Sequence, residues 1–427
     1  MNKALTCVVF LSILLWSVLS SYGQADTSFK KVSISLNQYL SGVGKNNLDY
    51  IAEQYNVSIV AAGIESAKVF PDPEISLGAY DNQESTLHLG KGYSGMIGTS
   101  IELGGKRRAR IGLARSQAEV AKALLQDFFR NLRADAAIAY FNALQQYHLF
   151  RVVEDSYRTM KQLADADSIR FKLGAISEID ARQSRLEAGS LLNNLFQGEA
   201  DWKTALIQLS LYTGKAQLDT FLLPSGDFNL DRDFSLAALI SEAQLNRTDA
   251  VAAQNAKTVA EKSLQLTKAN RSIDLGLSAG VQYVGIATNE VAPTPAYRAL
   301  IMGISMPLKF SNIYKGELNA GKYAIRQSEL QYEQILLRIQ HEVTRAYLNY
   351  KAAEKQVLQF NNGLLTEAEK VLSGKIYSYK RGEISLLDVL NAQRTYNVVQ
   401  QSYYQSLYGY AEALILLERS AGIWDIS

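Results

Sequence analysis

Two patterns of apolar and polar residues follow each other along the chain, and the first is typical of strands. In the segments 275–283 and 297–308, and more weakly in 75–79 and 97–103, apolar residues occupy every second position. Because successive side chains of a strand point to opposite faces, each segment predicts a strand with one apolar face and one small or polar face. The four predicted strands form two pairs, and a polar loop separates the strands of each pair.

Tyrosines flank the loop within each pair of predicted strands. They are Tyr80 and Tyr93 in the first pair and Tyr283 and Tyr297 in the second. Aromatic residues of membrane β-barrels collect where strands leave the lipid. The tyrosines therefore favour membrane strands, although a hairpin in a soluble sheet would show the same alternation.

The second pattern, typical of long helices, follows each pair of strands. The proline-free stretches 106–171 and 312–379 place apolar residues at every third or fourth position, which predicts amphipathic helices. About 65 residues at 1.5 Å each form a rod of roughly 100 Å, several times the thickness of a bilayer core. Most of each rod must therefore lie outside a membrane.

The whole pattern occurs twice. FKLGAISEID (171–180) returns as YKRGEISLLD (379–388), and GTSIEL (98–103) returns as GISMPL (303–308), in the same order. The chain is therefore internally duplicated, and each copy is predicted to contain a helix, two strands, a long helix and another helix. We expect a mostly α fold with a small membrane β-barrel contribution.

The same three polar or small residues recur at equal spacing in the turn after each long helix. They are Gly174, Ser177 and Asp180 in the first copy and Gly382, Ser385 and Asp388 in the second. A glycine suits the left-handed residue that ends a helix, the serine can cap the next helix, and the aspartate would complete a capping box. Each copy should therefore end in a tight helical hairpin tip.

The amino terminus has the pattern of a secretory signal peptide. Lys3 precedes an apolar stretch over 8–18, and the small residues Ser21 and Gly23 suit cleavage before Gln24. We therefore expect an exported protein.

The signal peptide and the duplication together predict the domain organisation. The single cysteine, Cys7, lies inside the segment expected to be removed, so the exported chain should carry no lipid on cysteine, no disulfide and no thiol nucleophile. The predicted boundaries are a signal peptide 1–23, a first repeat 24–214, a linker 215–233, a second repeat 234–421 and a tail 422–427.

Composition and charge point away from enzymes and nucleic-acid binders. The net charge of +2 comes from nearly equal numbers of acids and bases, without the basic face that nucleic acid demands. The three histidines, His88, His148 and His341, are far apart, and no acid–base pair or activated serine stands out. We expect no enzymatic activity, no cofactor and no resident metal.

The number of strands predicts an oligomer. Four strands are too few to close a barrel, and an open sheet edge in lipid leaves backbone groups without hydrogen bonds. Two chains would pool eight strands into a barrel filled by side chains, whereas three would pool twelve and could enclose a channel. A pore therefore requires at least a trimer.

Three segments resemble the outer-membrane efflux protein family typified by TolC. They are FPDPEISLG (70–78), IELGGKR (101–107) and YKRGEISLLDVLNAQRTY (379–396). The resemblance implies a homotrimer with a twelve-stranded barrel in the outer membrane of a Gram-negative bacterium and a long α-helical barrel in the periplasm. It also implies partners, a periplasmic adaptor and an inner-membrane pump, that drive passive export through the duct.

The same resemblance implies functional roles for the tips. Tyr379 and Asp388, with Asp180 in the first copy, match positions of a periplasmic gate, although capping explains both aspartates without any gate. Asn391 and Ile384 depart from the family pattern, which has a second acid and a basic residue there. Gly174, Ile176, Gly382 and Ile384 match the tips that dock the adaptor.

The basic segment after the second predicted strand has two interpretations. Gly104, Gly105 and Lys106 suggest a phosphate loop, but the required Gly-x-x-x-x-Gly-Lys spacing is absent. Basic residues just past a membrane strand can instead anchor it at the interface. The Gly-Gly-Lys-Arg form also resembles the family subgroup that serves heavy-metal pumps.

The rival interpretation is a secreted or periplasmic coiled-coil structural protein without transport activity. It would explain the helices and the signal peptide. It would not explain why alternating strand pairs occur twice.

Overall fold

The computed structural model describes residues 30–83, 88–214, 220–228, 232–309 and 313–426. The predicted signal peptide and Cys7 lie outside these residues, as does part of the predicted linker.

The described residues form long helices and two sheets. The helices are α1 Leu36–Asn46, α2 Leu48–Lys68, α3 Lys106–Lys172, α4 Glu178–Tyr212, α5 Leu236–Asn246, α6 Thr248–Ala269, α7 Lys315–Gln359, α8 Leu365–Lys380 and α9 Leu386–Ala421. The strands are β1 Lys30–Ile34, β2 Glu74–Asp81, β3 Lys91–Ile101, β4 Thr220–Pro224, β5 Leu275–Val284 and β6 Tyr297–Ser305. The predicted order of helix, two strands, long helix and helix is confirmed in both copies.

The two strand pairs join in one antiparallel sheet with the order β2-β3-β5-β6. Ile75 of β2 lies opposite Ile97 of β3, which lies opposite Ala279 of β5, and Met302 of β6 completes the row. Because paired residues of an antiparallel sheet share a face, this register puts the apolar positions of all four strands on the same side. The other side carries glycines and small polar residues such as Ser94.

The apolar face of the sheet is exposed within a single chain. The exposed fraction is 74% for Ile75, 83% for Leu77, 74% for Met302 and 71% for Ile304. An exposed apolar surface of this kind marks a contact with another protein or with lipid.

The register separates the four tyrosines that flank the loops. Tyr93 and Tyr283 are direct partners on the apolar face. Tyr80 and Tyr297 lie at positions of the opposite parity, and the ring of Tyr80 covers Gly92, where a Cβ would come within 2.2 Å of it. Tyr80 and Tyr297 therefore lie on the small and polar face, and the expectation that all four tyrosines collect where the strands leave the lipid is wrong for these two.

A second, two-stranded parallel sheet joins the start of the first copy to the segment between the copies. Strand β1 pairs with β4, so that Val32 lies opposite Leu222. Strand β4 lies inside the segment 215–233 that the sequence predicts to be a linker. Phe221 of this strand is buried in the main core, so residues 220–224 pack against the helices.

The main core lies where α3, α4, α7 and α9 pack beside this small sheet. Many of its buried residues are alanines, including Ala134, Ala136, Ala137 and Ala143, all of which have no exposed surface. Small side chains let helix axes approach closely, which suits a tightly packed bundle of long rods.

The long helix of the second copy is interrupted once. Between α7 and α8, residues Phe360–Leu364 form a wider turn in which Gly363 has φ of 105°. The prediction of one continuous helix over 312–379 is wrong at this turn, because the Asn-Asn-Gly sequence combines poor helix formers with a residue that readily takes positive φ. Helix α3 of the first copy runs for 67 residues without a break.

Among the described residues, no helix is both long enough and apolar enough to cross a membrane.

Tyr140 ties the small sheet to helix α3. Its hydroxyl lies 2.9 Å from the carbonyl oxygen of Ile34 and 2.7 Å from that of Ser225. We expect Tyr140→Phe to destabilise the protein by about 1–3 kcal/mol, because a buried carbonyl loses its donor. The measurement is the apparent melting temperature of the purified protein in detergent.

The matched control for this substitution is Tyr323→Phe on α7, since Tyr323 is 76% exposed. It should leave the melting temperature unchanged. Equal melting temperatures for Tyr140→Phe and the wild type would show that the hydroxyl does not secure the small sheet.

Candidate functional site

The two hairpin tips are built in the same way. Gly174 and Gly382 have φ of 73° and 78°, the left-handed conformation that favours glycine. In the first tip the amide of Ala175 donates to the carbonyl of Arg170 at 2.8 Å, and in the second the amide of Glu383 donates to Ser378 at 3.0 Å. These bonds satisfy the last carbonyls of α3 and α8, so each glycine ends its helix.

The serines after these turns cap the next helices. Ser177 accepts a hydrogen bond from the amide of Asp180 at 3.1 Å, and Ser385 accepts from the amide of Asp388 at 3.3 Å. Only the second tip forms the full capping box, in which Asp388 accepts from the backbone amide of Ser385 at 3.2 Å. In the first tip Asp180 accepts from the hydroxyl of Ser177 at 2.7 Å, so the expectation of two complete boxes is wrong for that tip.

Asp388 serves mainly the local structure of the second hairpin. The hydrogen bond from the Ser385 hydroxyl and the nearby ammonium of Lys375 lower the pKa of its carboxyl. Lys375 Nζ lies 3.6 Å from Asp388 Oδ1 and joins α8 to α9. Asp388 is therefore a half-exposed carboxylate that stays ionised at neutral pH.

Tyr379 lies in a buried cluster behind the tips. Its hydroxyl donates to Oδ1 of Asp167 on α3 at 3.0 Å. Arg170 lies 3.5 Å from the same carboxylate, and its guanidinium lies over the Tyr379 ring at 4.9 Å. The contact joins the end of the first long helix to the end of the second.

Asp167 is the unusual member of this cluster, because its side chain has no exposed surface. Its Oδ2 has no hydrogen-bond partner among the described residues. Burial raises the pKa of the Asp167 carboxyl, and the hydrogen bond from Tyr379 only partly offsets this rise. Burial, together with the charge of Asp167, also raises the pKa of Tyr379.

An apolar core surrounds this contact. It consists of Met160, Leu163, Ala164, Ala188, Leu191, Tyr379, Leu386, Val389 and Leu390. These residues come from α3, α4, α8 and α9, so the core holds the two hairpins against each other near their tips. It is a separate cluster from the main core.

The tip residues predicted to dock a partner differ in exposure. Ile176 and Ile384 are only partly exposed, and Ile384 packs against the core behind the tips. The most exposed apolar side chains near the first tip are Leu173 and Ile179, each 77% exposed. Leu387 of the second tip is 64% exposed.

Sequence reasoning missed Asp167, Arg170 and Leu173. One signal was present in the sequence, because Asp167 follows Met160 and Leu163 at the spacing of a buried helical stripe. An acid at a core position needs a partner, but the sequence does not show that the partner is Tyr379.

Comparison with known proteins gives a consistent result. A family model described as "Outer membrane efflux protein" matches residues 39–215 and 239–423. The cobalt-zinc-cadmium resistance protein CzcC of Cupriavidus metallidurans is 26% identical over 367 residues, which cover 85% of this chain and 84% of that protein.

Two solved structures of channels share the fold. The CmeC outer membrane channel of Campylobacter jejuni superposes with a TM-score of 0.72 at 17% identity, over 91% of this chain and 85% of that chain. A structure of CusC, described in terms of folding and transmembrane channel formation, superposes with a TM-score of 0.73 at 17% identity, over 95% and 96%.

The raised pKa of the buried Asp167 carboxyl predicts that the stability of the tips depends on pH. Because its pKa is raised in the folded state, its contribution to stability is full below the ordinary aspartate pKa of 3.8 and is lost as pH rises through the raised value. Asp167→Asn removes this dependence. We therefore expect the variant to protect the tip core better than the wild type at neutral pH, with a smaller difference near pH 4.

This effect is measured as hydrogen exchange of residues 160–170 and 376–390, compared between variant and wild type at each pH. Asp165→Asn is the matched control, because Asp165 lies on the same helix and is exposed. A difference for Asp167→Asn that does not change with pH would exclude titration of this carboxyl.

Proposed function

The chain belongs to the outer membrane efflux protein family, and on this premise we propose that three copies assemble into one continuous duct from the outer membrane into the periplasm. The chain is the outer-membrane channel component of a tripartite efflux system. The proposed trimer closes the sheet, and the helices of the three chains extend the lumen.

The observation that supports the proposed trimer is the open four-stranded sheet. Its edge strands, β2 and β6, each have one hydrogen-bonded neighbour within the described chain. Lipid cannot satisfy the backbone groups of such an edge, so β6 of one chain must pair with β2 of the next. Three chains with four strands each contribute twelve strands to one barrel. Twelve strands suffice to enclose a channel lined by the small and polar face.

We place the periplasmic mouth of the duct at the hairpin tips. The hydrogen bond between Tyr379 and Asp167 holds the second hairpin against the first, so opening the mouth must stretch or break it. Asp388 of three chains would form a ring of like charges that attracts cations and resists tight closure. Asp180, its counterpart in the first tip, is the second member of this proposed gate.

The cargo is supplied by an inner-membrane pump through a periplasmic adaptor. Similarity to a protein named for cobalt, zinc and cadmium resistance supports metal cations as the cargo. The duct itself need only let them pass, so this proposal requires no resident metal site.

Loss of the Tyr379 hydroxyl should open the mouth. We expect Tyr379→Phe to raise the single-channel conductance in planar lipid bilayers, because the bond to Asp167 is lost while the ring stays in the core. Tyr377→Phe is the control, since Tyr377 is 61% exposed and its hydroxyl accepts only a surface bond from Arg381. Equal conductance of Tyr379→Phe and the wild type would exclude this bond as a gate.

Asp388→Ala tests the proposed carboxylate ring separately from the Tyr379–Asp167 bond, in the same conductance measurement. It should raise conductance and reduce block by divalent cations if the ring of carboxylates lines the mouth. If neither property changes, Asp388 acts as a helix cap alone.

The exposed apolar residues of the tips are the proposed docking surface for the adaptor, together with the turns at Gly174 and Gly382. We expect Leu173→Asp to abolish crosslinking between the tips and the adaptor, because it puts a charge into an apolar contact. Leu245→Asp, at an equally exposed leucine of α5, should leave crosslinking intact. Native mass measurement checks the trimer, and loss of the trimer in Leu173→Asp would show that this residue is architectural.

A further inference from the structure

An open cavity of about 740 Å³ lies between the start of α3 and the end of α6. Its charged lining is entirely basic and consists of Arg107, Arg108, Arg115, Lys262 and Lys268. Five cations around one cavity repel one another, and a bound anion would relieve that repulsion.

Most of these cations are not neutralised by the protein. Arg108, Arg115, Lys262 and Lys268 form no ion pair with any carboxylate of the described residues. Among the described residues, the polar partner of the Lys262 ammonium is the amide oxygen of Gln265, at 3.4 Å. The cavity therefore differs from the rest of α3, where many arginines and lysines have acidic partners one turn away.

Two neighbouring ion pairs show which side of α3 faces the lumen and therefore on which side the cavity lies. Lys106 pairs with Asp274 at 2.6 Å, and Arg110 pairs with Glu102 at 2.7 Å. Asp274 directly precedes β5 and Glu102 directly follows β3, at positions that continue the small and polar face of the sheet. Lys106 and Arg110 therefore mark the lumen side of α3.

Two of the cavity arginines, Arg108 and Arg115, lie on the opposite side of the helix. At 3.6 residues per turn, Arg115 is rotated about 180° from Lys106, and Arg108 about 160° from Arg110. The basic cavity thus lies on the side that continues the apolar face of the sheet, just beyond Ile101 and Leu103 at the end of that face.

We propose that this cavity binds the phosphate group of an anionic phospholipid from the periplasmic leaflet of the outer membrane. The inference rests on the proposed placement of the apolar face in lipid, because phosphate groups then lie at the depth of the cavity. Guanidinium groups bind phosphate in a bidentate manner, and basic pockets beside membrane segments attract anionic headgroups. The lipid pins α3 to α6 at the junction of sheet and helices.

The test uses the full-length trimer, stripped of lipid in detergent, with dioctanoyl phosphatidylglycerol as the probe and dioctanoyl phosphatidylcholine as the neutral comparison. Native mass spectrometry counts bound lipid at each concentration. The double variant Arg108→Gln, Lys268→Gln should bind phosphatidylglycerol about tenfold more weakly than the wild type or worse. Binding of phosphatidylcholine should be weak in both proteins.

The charge-matched control is Lys122→Gln, Arg158→Gln, which removes one lysine and one arginine from exposed positions of α3 outside the cavity. It should bind phosphatidylglycerol as the wild type does. Equal loss in both double variants would show that net charge attracts the lipid, and equal binding of the two lipids to the wild type would exclude recognition of an anionic headgroup. Either result overturns the proposal.

Two further measurements identify the source of the phosphate and protect the test against misfolding. Inorganic phosphate that binds as tightly as phosphatidylglycerol would point to a free anion instead of a lipid.

If the cavity variant does not assemble, a salt titration of the wild type replaces it, since the affinity for phosphatidylglycerol must fall as the salt concentration rises. Salt-independent affinity contradicts the proposal.

The conductance of the wild type in phosphatidylcholine bilayers distinguishes failure of the lipid site from failure of the proposed function. If the protein conducts but binds no phosphatidylglycerol, the lipid site is contradicted and the duct is not. A protein that fails to conduct at all contradicts the duct itself.

Discussion

The edge hydrogen bonds of the four-stranded sheet are the constraint on which the rest of the molecule depends. Strand β2 and strand β6 each leave one side without a partner in the described chain, and the face they share is apolar and exposed. Water can satisfy such an edge but penalises the apolar face, whereas lipid accepts the face but not the edge. The proposed pairing between chains within a membrane would satisfy both requirements together.

The long helices follow from the same constraint. The proposed duct would reach an inner-membrane partner through a rigid extension, and α3 has 67 continuous helical residues for it. The alanine-rich main core lets these helices pack closely, and the small β1–β4 sheet joins the start of the first copy to the segment between the copies at that level. The single wide turn at Gly363 interrupts only the second copy.

The two ends of the helical region use charge in different ways. Near the tips, a buried carboxylate on α3 meets the hydroxyl of Tyr379, so that a costly desolvated charge links two hairpins. At the junction with the sheet, basic residues line a cavity without acidic partners among the described residues. The first arrangement supports the proposed gate, and the second supports the proposed lipid site.

Local patterns in the sequence determined most of the architecture. The alternation over 275–283 specified a strand and its two faces, the repeated spacing of Gly174 and Gly382 specified the tips, and Ser177 and Ser385 specified the caps. These features depend on side-chain periodicity and backbone geometry within a few residues, which one sequence displays directly. Duplication made each pattern visible twice.

Only the tertiary structure decided which distant residues meet. Tyr379 pairs with Asp167 rather than with either capping aspartate, although 212 residues separate the partners. Tyr80 and Tyr297 face away from Tyr93 and Tyr283 because of the strand register. Within the described part of the chain, Arg108 and Arg115 lack the acidic partners that Lys106 and Arg110 have. The reason is physical: the sequence encodes the period of each element, but contacts between elements depend on how those elements are rotated and packed against each other.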